Sequence, residues 1–144
     1  MSSASGHQLV TFRLDGDLFA ADIFAVERVL RYQEPTAVPD VPSWIAGVME
    51  YQGRIVPVID LRARFELPAS PPQIATRILI FVTESDWVGA VVDSVMEVVT
   101  VPAAQVAPPP PLFRGLSAEY VRGIVRRDER LMVYLDVARL LTAS

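Results

Sequence analysis

Two stretches of this chain lie over each other without a gap, and no fold is acceptable that cannot place both alike. LVTFRLDGDLFAADIFAVERVL from Leu9 keeps step with ILIFVTESDWVGAVVDSVMEVV from Ile78, setting Phe12 on Phe81, Asp17 on Asp86, Ala21 on Ala90, Val26 on Val95 and Val29 on Val98. The offset is constant at 69 residues, as 81 is from 12. WIAGVMEYQGRIVPVIDLRARF from Trp44 lies over YVRGIVRRDERLMVYLDVARLL from Tyr120 in the same way, with Gly47 on Gly123, Arg54 on Arg130 and Asp60 on Asp136, now 76 apart. The extra residues fall in the second connector, so the chain reads as one unit written twice, with its elements in the same order.

Each copy opens with a hairpin. QLVTFRL and RILIFV are strand-like, and the turns Asp15-Gly16-Asp17 and Glu84-Ser85-Asp86 send the chain back. In the first copy Ile23, Val26, Val29 and Leu30 fall at helical spacing behind Asp22, a suitable N-cap, so a helix of one or two turns is expected there. Its counterpart, Val92, Val95, Val98 and Val99, is β-branched and suits extended backbone equally well. Proline-rich connectors follow (Pro35, Pro39, Pro42; Pro102 and Pro108 to Pro111), the last four favouring extended polyproline structure at the surface.

Each copy then ends in a long hairpin through Gly47 or Gly123. The returning strands, IVPVID and LMVYLD, are so apolar that both faces should be covered. That favours small barrels packed on each other over a flat sheet with one wet face. Asp136 can cap a C-terminal helix, DVARLLTAS, that frays at its end.

At 144 residues the chain suits one compact domain, able to bury roughly two thirds of its unfolded surface. Its formal charge of −4 and scattered basic residues argue against a nucleic-acid partner. With no cysteine there is neither a disulfide framework nor a thiolate metal site, and the single histidine, His7, falls in what reads as a solvated tail over residues 1–7. MSSASGHQ has no signal-peptide pattern and no apolar run reaches the length of a membrane span, so a cytoplasmic protein is expected.

Asp60, Asp93 and Asp136 each follow an apolar strand and raise the question of paired catalytic carboxylates. Asp60 and Asp136, however, are copies of each other at strand ends, where an aspartate bonds the next backbone amides. One tail histidine cannot build a Ser–His–Asp set, and Gly47, Gly53, Gly89 and Gly123 are too dispersed to cradle a phosphate. No catalytic, metal or cofactor residue is assigned. A small-molecule-binding barrel and a self-associating protein remain as rival readings.

The run GVMEYQGRIVPVIDLRARF, preceded by FRLDGDLFAADIFAVERVL and followed by WVGAVVDSVMEVVTV and LMVYLDVARLL, resembles the CheW family of bacterial chemotaxis coupling proteins over about Gln8 to Leu141. The resemblance implies a mainly all-β fold of two SH3-like five-stranded β-barrels, intertwined in one domain over 8–141, with short helices including a C-terminal one. It implies an adaptor that binds the regulatory domain of a CheA-type histidine kinase and the cytoplasmic tip of chemoreceptors. Two positions depart from the family pattern. The tip usually reads Asn-Leu-Arg-Gly but is Glu50-Tyr51-Gln52-Gly53 here, and Arg28 stands where a glutamate is usual. The implied receptor side comprises Val26, Arg28, Val29, Gln52 and Val95. The polar tip of the Gly47 to Asp60 hairpin reads as offered to a partner, with the kinase as the candidate and Met49, Tyr51 and Ile55 as its apolar anchors.

Overall fold

A computed structural model describes residues 6–84, 86–109 and 118–142. Eleven strands appear in it: β1 (Gly6–Leu14), β2 (Asp17–Asp22), β3 (Val26–Arg31), β4 (Ile45–Tyr51), β5 (Arg54–Asp60), β6 (Arg77–Val82), β7 (Trp87–Val92), β8 (Ser94–Pro102), β9 (Val106–Ala107), β10 (Val121–Arg127) and β11 (Arg130–Leu135). Two helices, α1 (Leu61–Arg64) and α2 (Val137–Thr142), follow the final strand of each copy. The strands form two sheets, ordered β8-β1-β2-β11-β10-β9 and β3-β6-β7-β5-β4. The fold is thus mainly β, a pair of small SH3-like barrels. The six-stranded sheet exceeds the expected five by the two-residue β9.

The two copies exchange their opening hairpins. β1 and β2, from the first copy, sit in the sheet completed by the second, and β6 and β7 sit in the sheet completed by the first. Both insertions use a parallel pairing at duplicated positions: Val58 opposite Gly89 in one sheet, Tyr134 opposite Ala20 in the other. Each sheet therefore draws strands from both copies.

Three cores result. The central one lies between the sheets and draws on both, with Phe12, Leu14 and Phe19 from one side and Leu79, Phe81 and Ile59 from the other, closed by Leu61 and Phe65 and by Val137 and Leu140. One barrel interior holds Leu9, Val99, Met132 and Tyr134, and the other holds Met49, Tyr51, Val58, Ile78 and Ile80. β6 therefore buries both faces, Ile78 and Ile80 into a barrel and Leu79 and Phe81 into the centre.

The strands expected to be covered on both faces are not. Val56, Val58 and Ile59 of β5 are buried, but Ile55 is 70% exposed, and its copy Leu131 on β11 is 58% exposed. Pro57 is exposed as well, so Ile55 and Pro57 alternate with buried Val56 and Val58 on an outward face of the sheet.

The helix expected behind Asp22 is a single 3-10 turn, Ile23–Ala25. Asp22 caps it by accepting from the Phe24 amide at 2.8 Å, after which β3 runs antiparallel to β6. β-Branched Val26 and Val29 favour that extended form. His7 is no tail residue: it lies in β1 opposite Val101, with its ring 5.5 Å from that of Tyr134. Pro102 ends β8 at a sheet edge, where a missing amide costs nothing. The polyproline expectation at Pro110 and Pro111, the turn residue Ser85, the tail residues 1–5 and the fraying of residues 143–144 lie outside the described residues.

Candidate partner-binding surfaces

Asp60 and Asp136 cap the helices that follow them. The Ala63 amide donates to Asp60 Oδ1 at 3.3 Å, and the Arg139 amide donates to Asp136 Oδ1 at 3.1 Å. Asp93 is engaged differently. Arg62 of α1 donates to it twice, Nε to Oδ1 at 2.8 Å and Nη2 to Oδ2 at 2.6 Å, and the Asp15 amide donates to Oδ2 at 2.7 Å. Burial acts to raise the Asp93 carboxyl, but the hydrogen bonds from Arg62 and Asp15 and the charge of Arg62 outweigh it and hold the group below the usual carboxylate range. A general acid would need the opposite shift. These aspartates join elements of the fold.

A second junction sits where the copies meet. Arg64 lies between the rings of Trp44 and Tyr120, 5.1 and 4.9 Å from their centroids, and donates through Nη2 to the Tyr120 hydroxyl at 2.9 Å. Trp44 and Tyr120 are a duplicated pair, so one cation clasps both copies of the same aromatic. Sequence reasoning passed over Arg62 and Arg64. The matched aromatics of the alignment were the available signal.

Of the residues expected on the receptor side, Val26 and Val95 both pack along the central core, the seam between the two sheets. Val26 stands opposite Phe81 and Val95 opposite Phe12, duplicated positions in both cases, and both valines pack half-buried against the central core. Val29 is 40% exposed further along β3, as its copy Val98 is on β8 at 52%. Arg28 is exposed, and its side chain makes no hydrogen bond or ion pair among the described residues. Gln52 lies on the other hairpin, its amide 3.4 Å from the Tyr51 hydroxyl, and no contact joins it to Arg28.

The hairpin tip corrects the expected anchors. Gln52 and Gly53 take φ of 50° and 77°, the paired left-handed geometry of a two-residue hairpin loop. Met49 and Tyr51 alternate inward with Gly47 and are 7% and 8% exposed, so they pack in a barrel core and present little surface. Ile55 alone of the three faces outward. Beside it the Arg54 guanidinium covers Trp87 at 4.2 Å, and Tyr51 tilts against the same indole at 5.1 Å. The exposed tip is thus an Arg–Trp stack with one aliphatic neighbour.

Paired barrels in which Asp22, Asp60 and Asp136 cap helical turns and Asp93 is held by Arg62, with Arg54 and Ile55 presented at a hairpin tip, fit the scaffold class of protein. The family model described as "CheW-like domain" matches residues 8–144, and the chain belongs to that family. It is 31% identical over 137 residues to the chemotaxis protein CheW of Bacillus subtilis, covering 95% of this chain and 88% of the relative. Protein FrzA of Myxococcus xanthus is 35% identical over 121 residues, covering 83% and 75%. The crystal structure of the scaffolding protein TtCheW from Thermoanaerobacter tengcongensis superposes with a TM-score of 0.88 at 30% identity, covering 96% of this chain and 89% of that one. Among the described residues no helix is long and apolar enough to cross a membrane.

Proposed function

We propose that this chain is a cytoplasmic adaptor that couples the signalling tips of chemoreceptors to the regulatory domain of a CheA-type histidine kinase. The observation that carries the reading is the seam at Val26 and Val95. Two duplicated valines stand half-buried beside the two-barrel core, a suitable wall for an apolar helix laid between the barrels. Arg28, two residues from Val26 on β3, and Gln52, in the β4–β5 turn, supply a cation and a neutral amide where the family pattern has a glutamate and an arginine. The implied receptor face therefore departs in charge from the family pattern.

A charge-assisted hydrogen bond contributes roughly 1.5–3 kcal/mol, about 10- to 100-fold in affinity. One such exchange redirects partner choice without unfolding a domain. The test is binding of the purified protein to a kinase regulatory domain and, separately, to a receptor signalling tip, each against Gln52→Arg. Kinase binding by both forms, with tip binding strengthened by the arginine, is the expected result. Failure of both forms to bind either partner rejects the coupling role.

A further inference from the structure

The barrel that contains β1 and β8 carries a cleft of about 250 Å³, at the position in the second copy that corresponds to the Arg28–Gln52 region of the first. Its lining includes Arg13, Arg127 and Arg130 together with Met96, Glu97 and Asp128. Its floor is fixed. Thr11, buried in β1, sits opposite a bulge in β8, donating its hydroxyl to the Glu97 carbonyl at 2.7 Å and accepting from the Glu97 amide at 3.0 Å. Met96, beside the bulge, is half exposed at the cleft side.

The arginines of this cleft differ from those that build the fold. Arg62 and Arg64 are held by Asp93 and by a pair of aromatic rings, and Arg77 donates to the Ile74 and Thr76 carbonyls. Arg127 and Arg130 have no ion pair or side-chain hydrogen bond among the described residues, although Glu97 and Asp128 line the same cleft. Arg13 reaches only the Gly16 carbonyl, at 3.4 Å. Three guanidiniums against two carboxylates give a locally positive face on a chain of formal charge −4. Leu131, next to Arg130, adds an exposed aliphatic side chain.

We propose that this cleft is a docking surface for an acidic segment of a partner protein that also carries aliphatic side chains. Free guanidiniums call for carboxylates, which they hold in two-pronged fashion, and arginine and methionine are the residue types enriched at protein interfaces. Glu97 and Asp128 line the cleft with the three cations, and their negative charge disfavours a continuous run of phosphates more than separate glutamate side chains set among aliphatic ones. The first copy has Tyr51, Gln52 and Arg54 where the second has Arg127, Asp128 and Arg130. The two ends of the molecule therefore select different chemistry. The inference stands apart from the coupling role, since it concerns neither the seam nor Gln52.

The test is titration of protein labelled with ¹⁵N at arginine with a synthetic peptide of alternating glutamate and leucine, followed through the Nε resonances. Arg13, Arg127 and Arg130 are expected to move while Arg62 and Arg64 stay, and salt is expected to weaken the response. Arg127→Glu/Arg130→Glu is expected to weaken binding by about 10-fold or more, with thermal unfolding unchanged. Arg127→Gln/Arg130→Gln, expected to weaken it less, serves as the second variant if the charge reversal unfolds the barrel. Movement of Arg28 and Arg31 in place of the cleft arginines overturns the proposal. So does an equal response to a lysine–leucine peptide, inorganic phosphate or single-stranded DNA, or no response at all.

Discussion

Arg62 and Asp93 meet through two hydrogen bonds, and through them the helix after β5 is tied to the junction of β7 with β8 and to the β1–β2 turn. The pair joins parts of both copies. Their side chains are 15% and 31% exposed, so the contact is neither fully screened nor fully desolvated. Removing either partner by Arg62→Ala or Asp93→Asn is expected to cost about 1–3 kcal/mol. The two losses should fall short of additive in a double-mutant cycle read by urea unfolding. Because the folded Asp93 carboxyl is held below its unfolded value, its contribution is fully present above the unfolded range near pH 4 and is lost as pH falls through the folded value. The stability gap between wild type and Asp93→Asn should therefore be flat at neutral pH and narrow under acid. A gap that widens under acid would contradict the assigned direction.

Gly47 and Gly123 are duplicated glycines with a shared cause. At each, the preceding connector crosses over the strand: Thr36 pairs with Val48, and Ala107 pairs with Ile124. A Cβ on Gly47 would strike the Thr36 carbonyl, and φ there is +148°, while a Cβ on Gly123 would meet the Val106 side chain and lie 2.7 Å from the Ala107 carbonyl oxygen. Gly47→Ala is expected to destabilise by more than about 2 kcal/mol, and Gly123→Ala by less, because part of its obstruction is a side chain able to move. Chemical denaturation of the two variants, compared with Gly16→Ala at an open turn, gives the ranking.

Much of this was legible in the sequence because duplication fixes pairs. Val26 with Val95, Asp60 with Asp136 and Gly47 with Gly123 occupy matching places, and the caps at Asp22, Asp60 and Asp136 follow from side-chain chemistry a few residues long. The exchange of hairpins was not legible from the strand patterns. Whether β1 pairs with β8 or with β3 depends on contacts far apart in the chain, and each strand alone suits either. The helix expected through Val26 and Val29 has a local explanation. Val26 stands opposite Phe81 and Arg28 opposite Ile80, so Glu27 is an extra residue in the ladder. The bulge breaks the two-residue alternation and leaves apolar residues spaced as on a helix. Met49 and Tyr51 were misassigned for a different reason. Gly47, Met49 and Tyr51 alternate inward at a strand's period, a signal present in the sequence but outweighed by the polar residues around it.

That misassignment sets up a separation between folding and binding within one hairpin. Met49 packs with Tyr51, Val56, Ile78 and Ile80 inside a barrel, whereas Ile55, opposite Glu50 on the paired strand, leaves 70% of its surface in water. Met49→Ala removes buried volume and is expected to cost about 2–5 kcal/mol. Ile55→Ser deletes mostly solvated surface and is expected to alter stability by no more than about 0.5 kcal/mol. If the tip meets a partner, the order reverses for binding. Ile55→Ser should then weaken association with a kinase regulatory domain, while any binding loss in Met49→Ala should track its unfolded fraction. Measuring unfolding and binding on the same preparations separates the two. An Ile55→Ser protein that is stable and binds as wild type would remove the β4–β5 tip from the kinase interface.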